Sequence, residues 1–325
     1  IVELLIELSL ISDWNEINNY LPLLENSRSV NPFKLLTFED DSEKNLERAI
    51  NYNEKNYKNK SDSPKLFIKE KINIGYFSAD LRNHPIMHVI RKIFKFHNKN
   101  KFNIFLYYFG SKEDEETQKL KEIGCNYKNI SKLNNLEIVE IAREDELDIA
   151  VDLMGHTNNN RMQSFYYRNA PIQINYLGYP STSGCKEIDY LIADEVTIPV
   201  NSFKYYTEEI IYMPHCYMPY DNETKLSAKN FSKKELGLPM DSFILAAFHN
   251  NKKITIKEFD VWSRILSKID NSVIWFSRTN EIAKKNILNQ FKKRGVNEKN
   301  IIFTTLFYSR EDHLLRHSFA DLFID

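Results

Sequence analysis

The stretch INIGYFSADLRNHPIMHVI, residues 72–90, sets an apolar run of strand length directly against a helix start marked by Asn-His-Pro. Proline suits the first helical position, where a missing N–H costs nothing, so His84 or Asn83 is the cap and a helix over 85–96 follows. A buried strand feeding an amphipathic helix is half of a βαβ unit. Open α/β sheets bind ligands beyond the carboxyl ends of their strands, so His84 is expected to point towards a ligand cleft. A histidine that merely caps the helix and bonds locally explains the same residues. A metal reading that pairs His84 with His88 lacks the glutamate of an H-E-x-x-H helix and a third ligand.

Outward from this junction the pattern repeats. Strands are expected near 72–77, 103–109, 148–153, 172–177, 189–193 and 209–213, with helices near 85–96, 115–123, 136–144 and 159–168. Apolar strands alternating with amphipathic helices signal a parallel sheet covered on both faces. After the polar segment DNETKLSAKNFSKKELGLPMD the alternation restarts, with strands at 243–248, 273–276, 301–304 and 321–324, the last expected to be buried. The expected organisation is a helical segment and linker over 1–62, a Rossmann-like lobe over 63–235 and the beginning of a second over 236–325. The first segment could close a helical repeat array, although no repeat is visible in so short a window. The chain begins without methionine and stops inside an apolar run, so it reads as a piece of a longer protein.

Composition narrows the function. The 325 residues carry 44 Lys plus Arg against 45 Asp plus Glu, a net charge of −1, so no global field favours nucleic acid or an anionic membrane. No apolar run is long enough to span a bilayer, and three scattered cysteines form neither a disulfide framework nor a zinc spacing. A cytoplasmic protein is expected, with no nucleic-acid or membrane partner.

Only eight glycines occur, and none falls in a G-x-G-x-x-G or P-loop pattern, which disfavours a conventional NAD dehydrogenase or P-loop NTPase. A nucleotide can still be held by helix N-termini and a lysine. FHNNKKIT, residues 248–255, offers Asn250 and Lys253 at a strand tip just before a helix, where a lysine neutralises a phosphate oxygen as a point charge. In VDLMGHTNNNR, residues 151–161, His156 and Thr157 follow a buried strand; a simple turn explains them as well. Gly178, Tyr179, Pro180, Ser181, Thr182, Ser183 and Gly184 form a loop of small and hydroxylated residues that lets backbone approach a polar ligand; an ordinary surface loop is the alternative. The i, i+4 pair His313 and His317 reads as a helix surface feature.

Six blocks in order, GYFSADLRNHPIMH, VDLMGHTNNNR, APIQINYLGYPSTSG with DYLIAD, YMPHCY, FHNNKKIT and HLLRHSFADLFID, resemble the catalytic region of the protein O-GlcNAc transferases, which include SPINDLY-type enzymes. The resemblance covers roughly residues 65–325, and NPFKLLTFEDDSEKNLERA is similar to the helical connection after the TPR array of bacterial members. It implies a GT-B fold and an inverting transfer of a sugar, GlcNAc first among candidates, from a UDP-sugar to Ser or Thr hydroxyls of acceptor proteins, without a metal or other cofactor. It assigns the active-site histidine to His84, the diphosphate lysine to Lys253, a phosphate or uridine contact to Asn250, and the sugar border to Leu177, Gly178, Tyr179 and Pro180. Two departures stand out. Lys252 replaces the tyrosine usual before the lysine, and the family's His-Thr-Thr block would lie beyond Asp325, so this stretch alone is expected to be inactive. The alternative is a catalytically silent member that uses its cleft and helical array as a protein-binding scaffold.

Overall fold

The computed structural model describes residues 1–26, 30–57, 64–66, 68–304 and 309–324. The chain forms two compact units, one of Ile1–Ser27 with Glu223–Asp325 and the other of Arg28–Asn222. The expected helical segment 1–62 is therefore shared between the units, and the expected junction at 62/63 lies outside the described residues. The second junction falls at 222/223, earlier than the expected 235/236, because Lys229 reaches Asp312 at 2.6 Å and ties the polar segment to the second unit.

Helices α1 (Val2–Leu10) and α2 (Trp14–Tyr20) open the chain and belong to the discontinuous unit. The continuous unit begins with α3 (Pro32–Leu35) and α4 (Ser42–Asn56). Then come β1 (Ile72–Ser78), α5 (Pro85–Phe96), β2 (Phe102–Tyr108), α6 (Glu115–Glu122), β3 (Asn126–Asn129), α7 (Asn135–Glu144), β4 (Ile149–Asp152), α8 (Met162–Tyr166), β5 (Ile172–Asn175), β6 (Tyr190–Ala193) and β7 (Glu209–Tyr212). The strands form one sheet in the order β3-β2-β1-β4-β5-β6-β7, every pair parallel. All but the first residue of β1 are buried, as a central strand covered on both faces requires. Ile74 and Tyr76 pack with Met87, Ile90 and Phe94 of α5 on one face. Phe77 packs with Ile138 and Ala142 of α7 on the other.

The chain returns to the discontinuous unit with β8 (Phe243–Ala247), α9 (Ile256–Lys268), β9 (Ser272–Phe276), α10 (Glu281–Lys293), β10 (Ile301–Phe303), α11 (Arg310–Arg316) and β11 (Leu322–Phe323). This sheet is also parallel, in the order β10-β9-β8-β11. Leu236, Leu238, Ile244, Val273 and Trp275 form one core cluster, while Phe259 and Phe276 meet Phe291 edge-on in another. The strand expected to be buried, β11, leaves Leu322 51% and Phe323 44% exposed; among the described residues it pairs with β8 alone. Each unit is thus Rossmann-like, and the fold is of the GT-B type. Among the described residues no helix is long and apolar enough to cross a membrane.

Candidate functional site

In the continuous unit the strand order reverses direction between β1 and β4, the place where open α/β sheets carry their ligands. His84 follows β1 and His156 follows β4. His84 is the N-cap of α5: the Ile86 N–H donates to its Nδ1 at 3.4 Å. In the neutral ring Nε2 therefore carries the hydrogen. Asp80, which the sequence reading passed over, lies with Oδ2 3.7 Å from the same Nδ1. Should Nδ1 take up a hydrogen, Asp80 is the acceptor at hand and Nε2 becomes basic, so the pair allows the ring either to donate or to accept at Nε2. Burial lowers the pKa of His84, the Asp80 charge raises it and Arg82 lowers it further, with a net fall that keeps the ring neutral near pH 7. The approach to His84 is tied down by Asp114, whose Oδ2 accepts from the Asn83 N–H at 2.7 Å while Oδ1 caps α6.

His156 is fully buried, and its side chain is turned to the protein rather than to solvent. Its Nε2 donates to the Ser183 carbonyl at 2.7 Å, and its ring stands edge-on to Tyr52 of α4 and to Tyr179. Thr157 donates its hydroxyl to the Met154 carbonyl. Thr157 thus closes a turn within the segment after β4, and His156 fastens that segment to the loop after β5. That loop is strained: Leu177 and Gly178 have φ of 55° and 63°, and the former is rare for a branched side chain. Leu177 and Tyr179 are buried, Gly178 is half-buried and Pro180 is exposed. Asn53 of α4 gives the Ser183 carbonyl a second donor at 2.8 Å. Glu208, buried, accepts from the Thr182 hydroxyl at 2.6 Å, the Ser183 N–H at 2.7 Å and the Ser183 hydroxyl. Gly184 lets α4 close on the loop, since a Cβ there would sit 2.7 Å from Ala49. None of Asn53, Glu208 or Tyr52 carries a sequence motif; only the fold brings them to the loop.

Burial sets two opposed titrations beneath this loop. His156 is pushed down to about 4 by burial, only partly offset by its bond to Ser183. It binds fewer protons folded than unfolded, so the stability it supports is whole above about pH 6.5 and is lost as pH falls towards 4. Asp152 is pushed up to about 6 by burial, against the Met154 and Gly155 amides that favour its charged form. It binds more protons folded, and stability rises as pH falls from about 6 towards 3.8. In denaturant titrations the advantage of wild type over His156→Gln should shrink by up to about 3 kcal/mol between pH 6.5 and 4. A pH-independent difference would rule this out.

In the discontinuous unit the strand order reverses between β8 and β11. Asn250 and Lys253 lie on the tip after β8, where residues Asn251–Lys253 make one 3-10 turn. The Asn250 side chain accepts from the Lys252 N–H at 3.1 Å and its carbonyl from the Lys253 N–H at 2.9 Å. Lys253 is exposed, and among the described residues no carboxylate pairs with it. Helix α9 uses its first amides in its own capping box: Thr255 accepts from Lys257, and Glu258 from the Thr255 N–H. The tip's positive charge is therefore the lysines'.

His313 and His317 are not the surface pair expected; both are half-buried around Phe248. The Arg316 guanidinium lies 3.8 Å from the Phe248 ring centre and donates to the Ser277 hydroxyl at 3.2 Å, which in turn donates to the Phe248 carbonyl. Burial, then Arg316 and His317, push His313 down to about 4. An i, i+4 histidine spacing tells only that both lie on one face of a helix; that His313 of α11 and His317 just after it cover Phe248 needs the fold.

The glycosyl transferase family 41 model matches residues 40–229 and 221–325. The chain belongs to that family. Among curated glycosyl transferase family 41 relatives it is 30% identical over 262 residues to the Arabidopsis thaliana protein named "Probable UDP-N-acetylglucosamine–peptide N-acetylglucosaminyltransferase SEC", covering 79% of this chain and 27% of that protein. It is 28% identical over 261 residues to the SPINDLY protein of the same organism and description, covering 78% and 28%. The chain thus spans about a quarter of the length of these relatives. A solved Thermobaculum terrenum O-GlcNAc transferase mutant superposes with a TM-score of 0.80 at 21% identity, over 97% of this chain and 61% of that one, which shows the shared fold.

Proposed function

We propose that the protein containing this chain transfers a sugar, GlcNAc first among candidates, from a UDP-sugar to Ser or Thr hydroxyls of proteins with inversion and without a metal. The observation that carries the reading is positional. In each unit the residue of the matching block follows the strand at which the sheet order reverses: His84 after β1 and Lys253 after β8. The names of the family 41 relatives, which specify UDP-N-acetylglucosamine and peptide, support the donor and the acceptor class.

Attack of a hydroxyl on the anomeric carbon makes one C–O bond as the bond to the diphosphate breaks, and negative charge builds on the leaving diphosphate. Stabilising that charge is the larger task. It falls to Lys253, with Asn250 beside it. His84 either takes the hydroxyl proton at Nε2, with Asp80 holding Nδ1–H, or donates from Nε2 to orient sugar and acceptor. Leu177, Gly178, Tyr179 and Pro180 border the sugar in this reading.

A thermal-shift titration of the full-length protein with UDP tests it. Saturation at a hundred times the dissociation constant adds about 2.7 kcal/mol to stability and raises Tm by several degrees. No shift at millimolar UDP would instead favour the silent scaffold.

A further inference from the structure

The tip that carries Lys253 is gripped from the far end of the sequence. Trp14, the first residue of α2 and only 5% exposed, donates its Nε1–H to the Ile254 carbonyl at 2.9 Å, across 240 residues of sequence. Its ring stands edge-on to Phe259 of α9, centroids 4.8 Å apart. On the other side of the lysine, Asn251 donates its Nδ2–H to the Leu10 carbonyl at the end of α1 and to the Thr279 hydroxyl. Asn280 and Asn286 donate to the Leu10 and Ile11 carbonyls, so three asparagine amides cap the frayed end of α1. The turn's own bonds are few: Lys252 N–H to the Asn250 side chain, Lys253 N–H to the Asn250 carbonyl and Ile254 N–H to the Asn251 carbonyl. A one-turn 3-10 segment has little intrinsic persistence, so its two anchors on the α1–α2 segment fix where Lys253 hangs.

We propose that Trp14 is a positioning residue for Lys253, and that the α1–α2 segment is a working part of the phosphate-binding tip. The claim rests on the functional reading above for what Lys253 binds, and on geometry alone for what holds it. A buried indole N–H needs an acceptor, and here that acceptor is the carbonyl next to the lysine, so docking α2 and placing the tip are one event. Undocking α2 takes the Trp14 donor from the Ile254 carbonyl, which ties the lysine's placement to that docking.

Trp14→Phe keeps an aromatic ring against Phe259 and removes the N–H. Asn251→Ala releases the other anchor on a partly exposed residue, and so serves should Trp14→Phe fail to fold. Val273→Ala, which hollows the cluster around Trp275, is the control for lost stability elsewhere in the same unit. In the full-length protein, amide exchange at Lys253 and Ile254 without ligand should speed up about tenfold or more in the first two variants, and UDP should bind about tenfold more weakly. Val273→Ala should move neither, whatever its fall in Tm. Exchange at the tip that is the same in Trp14→Phe, Asn251→Ala and Val273→Ala overturns the proposal, as does faster exchange with unchanged UDP affinity. Wild-type protein that binds no UDP overturns the functional reading instead, and exchange alone then decides whether Trp14 holds the tip.

Discussion

Full-length protein carrying Lys253→Ala should lose a factor of about 10²–10³ in kcat, equivalent to roughly 3–4 kcal/mol of transition-state stabilisation. Its Tm should stay within about a degree of wild type. The two halves of the prediction have separate causes. Lys253 is exposed and pairs with no carboxylate among the described residues, so the fold gains nothing from it. Helix α9 spends its leading amides on its own capping box, so charge that builds on a leaving diphosphate has no comparable substitute there. Steady-state transfer from UDP-GlcNAc to a protein acceptor, with circular dichroism melts alongside, checks both. Near wild-type turnover would remove Lys253 from the mechanism.

Gly178→Ala should cost more than 4 kcal/mol, enough to leave little native protein at 25 °C. A Cβ at this position would lie 2.0 Å from the Leu153 carbonyl oxygen and 2.7 Å from its carbon, both backbone atoms of the segment leaving β4, and φ is +63°. Neither side can yield, because Leu177 is already in the left-handed region and the loop is pinned at Ser183 by Asn53, His156 and Glu208. Gly237→Ala separates the two contributions. Its φ is +70° but nothing lies within 4 Å of the added Cβ, so only the conformational cost of about 1–2 kcal/mol remains. Urea titrations of the pair measure the difference; equal losses would show that the close approach at Gly178 is not what the loop requires.

Legibility varied with the physics behind each signal. Strands β1, β2, β4, β8 and β9 are buried runs whose apolar residues betray them, and the Pro85 start of α5 was readable to the residue because proline has one good place in a helix. Strand β3 is Asn-Tyr-Lys-Asn, an edge strand held by backbone pairing to β2, and it carries no apolar pattern to find. Segment 1–62 read as one helical piece because periodicity reports that a face is apolar and not what it meets. Trp14 meets Phe259, while Ala49 of α4 meets the loop at Gly184. His84 follows β1 in one unit, and Asn250 and Lys253 follow β8 in the other, the chain positions that their motifs announce. Asp80, Asn53 and Glu208 act through hydrogen bonds that ordinary polar residues make only once folded. His156 lay in a visible motif, yet its buried ring faces Ser183, which a turn sequence does not reveal.

The indole bond between Trp14 and Ile254 also sets a timetable for biosynthesis. At about 5–20 residues per second a ribosome needs roughly 10–50 s to make the 240 residues that separate them. For that interval Leu5, Trp14 and Ile17, all buried in the finished protein, have emerged without their docking surface. Until β8 and the tip after it emerge, that apolar face has to rest against some earlier-made part of the polypeptide or be covered by another protein.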